Sequence, residues 1–256
     1  MYNPLARHLR DPRAGRARLV GVAAVTGVAA CLLLPGCGRR GSGTIGQETR
    51  DISGITAVEV TGDGHLSIEQ TGVESLSIET DDNLLDRVST DVVDGTLVLE
   101  PRGIINPTNG IAYRLTVATL EAITVTGSGT VEVTGLDAQR LDVEISGSGL
   151  VTVAGTTTQQ HIDIGGGGLF YGRDLHSATT TIDIGGNGTA TVTARRQLDV
   201  KIDGNGVVTY YGDPTVDEHV DGAGHVRRGE DSLATTAATV RGPNGRNRTP
   251  VADGDQ

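Results

Sequence analysis

From residue 56 onward, apolar and polar side chains alternate with a period of two. The pattern is plain in Thr56-Ala57-Val58-Glu59-Val60, Leu66-Ser67-Ile68-Glu69, Leu76-Ser77-Ile78-Glu79 and Thr96-Leu97-Val98-Leu99. It continues through Ala112-Tyr113-Arg114-Leu115-Thr116-Val117. Successive side chains of a strand point to opposite faces, so this alternation predicts strands with one face buried. The apolar residues are mostly Val, Ile and Leu, and the first two are β-branched and suit a pleated surface. Only the stretch from about Asp81 to Arg87 breaks the pattern, and it predicts a helical turn.

A longer period is superimposed on the short one. VTGSGTVEV, ISGSGLVTV, IGGGGLFYG, IGGNGTATV, IDGNGVVTY and VDGAGHVRR align with a Gly-x-Gly at a fixed place. The first glycines are Gly127, Gly147, Gly166, Gly186, Gly204 and Gly222, at spacings of 20, 19, 20, 18 and 18 residues. An earlier copy, Gly62-Asp63-Gly64, stands 65 residues upstream of Gly127. Paired apolar positions precede each turn, as in Val143/Ile145, Ile162/Ile164, Ile182/Ile184 and Val200/Ile202. Others follow it, as in Val131/Val133, Val151/Val153, Ala190/Val192 and Val208/Tyr210.

One such unit cannot bury its apolar face alone, whereas coils stacked ~4.8 Å apart place equivalent residues in columns. The prediction is an all-β chain forming a single-stranded parallel β-helix, a solenoid with rungs of 18–20 residues. A sandwich of hairpins can alternate in the same way, but nothing in it demands a constant repeat length. Glycine would serve the corners by taking a positive φ or by leaving room where a Cβ would collide. Glu218 and His219 stand where apolar residues are expected, so the last rung reads as a fraying end or a cap.

The flanks differ in composition. Arg7, Arg10, Arg13, Arg16 and Arg18 precede an uncharged apolar run from Leu19 to Leu34, the arrangement of an export signal. As a helix that run would span roughly 24 Å, short of a ~30 Å hydrocarbon core. It ends in Leu34-Pro35-Gly36-Cys37-Gly38, which resembles a bacterial lipobox. Cleavage behind Gly36 and lipid attachment at Cys37 are therefore expected. Cys31 would leave with the signal, so one cysteine and no disulfide would remain. The expected organisation is a signal peptide over 1–36, a flexible tether over 37–50, the solenoid over 51–227 and a disordered tail over 228–256. The localisation that follows is an exported protein held by its lipid on the outer face of the cytoplasmic membrane.

Charge narrows the partners. The whole chain carries a formal −11, and loss of residues 1–36, with five Arg and one acid, makes it −15. Such a surface repels phosphate backbones, so nucleic acid is not an expected partner.

The passages ITAVEVTGDGHLSIEQTGVESLSIETDDNLLDRVSTDVVDGTLVLEPR and LEAITVTGSGTVEVTGLDAQRLDVEISGSGLVTVAG resemble the putative auto-transporter adhesin, head GIN domain family. The resemblance spans roughly residues 50–226; the later rungs drift, with GGG, GNG and GAG in place of GSG. It implies a right-handed coil and brings no catalytic residues.

Motif by motif, chemistry gives way to structure. No Gly-Lys-Ser/Thr follows a Gly-x-Gly, so phosphate loops are excluded. The run Gly165 to Gly168 is shared with calcium-binding repeats, but Phe170 stands where those need Asp. Asp203 and Asn205 lack the rest of a calcium loop. Glu144, Asp163, Asp183, Lys201 and His219 fall at one outward place in successive rungs, a solvated acidic row with some capacity for a weakly held cation. The six histidines have no metal-ligand spacing, and no serine stands in a Gly-x-Ser-x-Gly elbow. No catalytic, cofactor-binding or metal-ligating residue is expected, and no cofactor. The leading functional expectation is a non-catalytic envelope lipoprotein that presents its solenoid to an envelope or host protein or glycan. Outward rows such as Ser128, Ser148, Asn187 and Asn205 would supply contacts. The alternatives are a polysaccharide-active β-helix enzyme, which needs an acid/base pair in a cleft, and an envelope sensor or assembly accessory.

Overall fold

The computed structural model describes residues 38–230. Cys37, Gly36, the expected signal peptide and the tail from 231 onward lie outside the described residues, and so do the expectations placed on them. The described residues all belong to one compact unit, Cys37–Gln256.

The repeat folds as its period demands. Long strands Thr130–Ile145, Leu150–Ile164, Leu169–Ile184 and Thr189–Ile202 pair in parallel, each with the next, and build a β-solenoid of about five turns. Their register keeps the repeat in columns: Val143 on Ile162, Ile182 and Val200, and Ile145 on Ile164, Ile184 and Ile202. All of these side chains are buried. Each buried aliphatic contributes about 1.5–3 kcal/mol, so the columns are the main source of stability in a chain without a described disulfide. Where Phe170 enters the column of Val151, Ala190 and Val208, the neighbouring inward position is Gly172, whose Cβ would lie 2.5 Å from the Phe170 ring. A large side chain is thus accommodated by an empty one beside it.

Each coil has three sides. Side 1 precedes the Gly-x-Gly, side 2 follows it, and side 3 returns through irregular register, as between Gly172 and His176. The Gly-x-Gly corners stack on one another, with Ser148 N donating to Gly127 O at 3.1 Å and Asn187 N to Gly166 O at 3.0 Å. A Cβ on Gly147, Gly166, Gly186 or Gly204 would collide with the carbonyl oxygen of the glycine one coil below. None of these corner glycines has a positive φ. Of the two roles expected for glycine, close approach is therefore the one used at these corners, while Gly62 in the earlier copy takes a φ of 88°. The second glycine of each pair faces inward: a Cβ on Gly149 would lie 2.5 Å from Val125 Cγ1, and one on Gly206 2.6 Å from Ile184 Cγ2.

The first turn departs from the simple coil. Gly62 stacks directly under Gly127, with Ser128 N donating to Gly62 O at 3.2 Å. The chain between them leaves the coil and returns. In that excursion Ser75–Asp81 pairs antiparallel with both Ile45–Arg50 and Ala112–Val117, and Val88–Val93 pairs antiparallel with Thr96–Pro101. Thr96–Pro101 lies parallel on Ala57–Val60, so this hairpin covers the edge that the first coil would otherwise expose. The expected helical turn is a 3-10 helix, Asp82–Arg87.

The flexible tether expected over 37–50 is not what the described part of it forms. Arg39–Arg40 pairs in parallel with Ile105–Asn106, and Ile45–Arg50 takes its place beside Ser75–Asp81. Polar composition misleads here because these strands are held through their backbone and by Asp81. That carboxylate is fully buried and accepts hydrogen bonds from Gly43 N (2.6 Å), Thr108 N (2.7 Å), Asn109 N (3.2 Å) and Asn109 Nδ2 (3.1 Å). Burial works against its charge, but the hydrogen bonds from Gly43, Asn109 and Thr108 outweigh it and hold the carboxyl below its ordinary value.

At the other end, Thr215–Val220 and His225–Arg228 form the last rung, with Glu218 in register with Val200. Val216, Val220 and Val226 are only partly buried there. Glu218 and His219 are exposed, yet Thr215–Val220 is paired along its whole length with Gln197–Ile202, so of the fraying end or cap read from the sequence the strand resembles the cap.

Candidate functional site

The outward positions of sides 1 and 2 form two ladders of different chemistry. On side 1, Glu144, Asp163, Asp183, Lys201 and His219 stand in one row, as expected from the repeat. A parallel row holds Asp142, His161, Thr181, Asp199 and Asp217. Strand spacing puts the members of a row ~4.8 Å apart, so neighbouring carboxylates repel. Basic side chains are interleaved: Arg140 Nε reaches Asp142 at 2.7 Å and Lys201 Nζ reaches Asp203 at 2.6 Å, while the His161 ring nitrogen Nδ1 lies 3.9 Å from Asp183. The hydrogen bond and the charge of Asp203 raise the Lys201 pKa, with smaller contributions from Asp183 and Asp221. Lys201 thus turns along its own strand rather than closing the row.

Among the described residues no group of three or more His, Cys, Asp or Glu is arranged to hold a metal ion. Side 1 has two shallow depressions. One, of about 340 Å³, is lined by Arg140, Gln159, His161, Gln197 and Asp199 among others; its single carboxylate accepts from Gln197 Nε2 at 2.9 Å. The other, of about 240 Å³, brings Asp183, Asp199 and Asp217 beside Lys201 and His219. None of these three carboxylates is buried.

Side 2 is the opposite surface chemically. Thr152, Tyr171, Thr191, Thr209 and Arg227 form one outward row, and Leu150, Leu169, Thr189, Val207 and His225 form the next. Tyr171 is 42% exposed. The Arg173 guanidinium lies 4.3 Å from the centre of the Tyr211 ring at the margin of this side. No acidic residue occupies an outward position of side 2 over 150–154, 169–173, 189–193 and 207–211. The nearest acids are Glu132, in register with Thr152 one coil below, and Asp174 and Asp213, which follow the ends of these stretches. The serine and asparagine row picked out from the sequence lies on the Gly-x-Gly corner, where Asn205 Nδ2 donates to Asn187 Oδ1 at 2.9 Å. Gly167 interrupts it, so it is not a continuous polar ladder.

Cys37 and Gly36 lie outside the described residues, but Arg39, two residues beyond Cys37, is held by the backbone. Arg39 N donates to Ile104 O at 2.9 Å, so the chain enters the body beside Ile104, which is 73% exposed. No helix among the described residues is long and apolar enough to cross a membrane.

A stack of parallel coils with glycine corners and two unlike faces defines a β-solenoid of the kind that displays side chains on flat sheets. Residues 54–214 match the family described as putative auto-transporter adhesin, head GIN domain, and the chain belongs to that family. Solved structures share the fold, among them the following three. A putative adhesin from Bacteroides fragilis superposes with a TM-score of 0.64 at 22% identity, over 75% of this chain and 100% of that one. A putative adhesin from Parabacteroides merdae gives 0.50 at 19% identity, over 75% and 98%. A structure named as a putative lipid binding protein, from Parabacteroides distasonis, gives 0.50 at 20%, over 75% and 99%. At these identities the likeness is one of fold. No curated protein matches the chain.

Proposed function

We propose that this protein is a non-catalytic envelope lipoprotein, attached through Cys37 after cleavage behind Gly36, whose solenoid mediates adhesion to an envelope or host protein or glycan. The observation that carries the reading is the pair of flat outward ladders on a rigid coil. They repeat side chains at fixed intervals, and no carboxylate pair is enclosed between them. Membership of an adhesin family supports the same reading. The entry of the chain beside Ile104 supports attachment at this end, since a lipid on Cys37 would hold the body close to the bilayer.

Beads carrying the chain from Cys37 onward test adhesion; that unit holds every described core residue. Retention on host or sister-cell surfaces above that of beads carrying a scrambled chain is expected, and equal retention overturns the adhesive role. Attachment is tested separately with the full chain in its native envelope. Cys37→Ala is expected to move the protein from the membrane fraction to the soluble one, and unchanged partition removes the lipid anchor.

A further inference from the structure

We infer that side 2, centred on Tyr171, is a binding face for a neutral polysaccharide. The inference rests on the adhesive reading and gives it a surface and a ligand class.

Charge comes first. In a chain with a formal −11, four successive coils, up to the exposed Glu132 in register with Thr152, place no acid on the outward positions of one side, while the other side of the same coils carries Glu144, Asp163 and Asp183 in a row. Depletion of charge at the centre of a surface is the compositional mark of a contact region. An uncharged partner meets no repulsion there, whereas an acidic one is repelled by the flanking face.

The hydroxyls come second. Among the described residues, Thr152, Thr189 and Thr191 have no protein hydrogen-bond partner for their side chains. Each is both donor and acceptor, and the coils repeat them at multiples of ~4.8 Å. A pyranose chain lying across the strands advances by a similar length per sugar, so successive rings meet successive coils. Tyr171 stands in register between Thr152 and Thr191 with its ring exposed, and it offers an apolar face for the C–H side of a sugar ring.

Size decides between classes of partner. Four strands ~4.8 Å apart and five residues at ~3.3 Å give a face of about 300 Å². A stable interface with a globular protein takes ~800 Å² from each partner. A thin polymer fits within the smaller area, and the fixed sheet spares it the ordering cost that a loop would add.

The test is affinity electrophoresis of the chain from Cys37 onward in native gels containing hydroxyethylcellulose, dextran or mannan, with polygalacturonate as the acidic comparison. At least one neutral polymer is expected to retard the protein and polygalacturonate is not. Tyr171→Ala and Thr191→Glu are each expected to weaken the retardation tenfold or more with the melting temperature unchanged, while Asp163→Asn on side 1 leaves it intact. Absence of retardation by all three neutral polymers overturns the inference. So does retardation that survives both side-2 variants. If beads adhere to cells through a Thr191→Glu-sensitive contact while no polysaccharide retards the chain, the ligand is a protein and the polysaccharide assignment fails. If a polysaccharide binds but beads do not adhere, adhesion fails and the binding face stands.

Discussion

Gly186 rests against the carbonyl oxygen of Gly166, one coil below, with no room for a β-carbon between them. Its neighbour Gly185 has nothing within 4 Å of the place where a Cβ would stand. Two adjacent glycines thus face opposite demands. Gly186→Ala is expected to destabilise the protein by about 1–3 kcal/mol or more, because backbone must move to admit the methyl. Gly185→Ala should stay within about 0.5 kcal/mol of the parent. Denaturant unfolding of the two variants decides it; equal effects would show that the corner is not set by close approach.

Asp81 ties its own strand to two other segments, one through Gly43 and one through Thr108 and Asn109, and its carboxyl is held below the ordinary 3.8. A depressed folded-state pKa contributes stability that is complete above the unfolded value and is lost as pH falls through the folded one. Asp81→Asn should therefore melt at a lower temperature than the parent at pH 7, and the gap should narrow below about pH 4 as the parent loses its charge. Melting curves from pH 7 to pH 2 provide the measurement. A gap of constant size would mean that the charge of Asp81 contributes nothing.

Inside the coil, Gln160 occupies the column of Leu141, Thr180 and Leu198. Its Nε2 donates to Thr180 Oγ1 at 2.8 Å and Ser177 Oγ at 3.2 Å, but its buried Oε1 has no partner. Ser177 and Thr180 are also 2.6 Å from each other, and Ser177 Oγ donates to Thr193 O at 3.1 Å, so both keep partners without the glutamine. Gln160→Leu loses two neutral hydrogen bonds and relieves one unsatisfied oxygen, terms of about 1 kcal/mol each that offset one another. It should fall within about 1 kcal/mol of the parent, whereas Ile164→Ala should cost about 2–5 kcal/mol. A loss of similar size in both would show that the polar cluster is as necessary as the aliphatic columns.

The coil itself was legible in the sequence because glycine spacing and strand alternation report the same register. The antiparallel excursion between Gly64 and Gly127 was not, since alternation is identical for parallel and antiparallel strands. The pairing of Ile45–Arg50 was hidden for another reason: its partner Asp81 is distant along the chain, and polar side chains say nothing about backbone pairing. The buried Gln160, Ser177 and Thr180 escaped notice because each satisfies another across different coils. Attention to the residues before each Gly-x-Gly revealed the acidic row. The neutral face was equally available in the residues after it, at Thr152, Tyr171, Thr191 and Thr209, but an absence of charge becomes visible only when the columns are set side by side.

The register that sides 1 and 2 keep from coil to coil makes the molecule extensible. A unit of 18 to 20 residues can be gained or lost with the columns above and below still in line, because each coil meets its neighbours through equivalent atoms. The length of both faces then changes in steps of ~4.8 Å, while their separation around the coil stays fixed. Reach and selectivity are in this way independently variable: duplication sets how many contacts a partner can make, and single outward substitutions set what those contacts are.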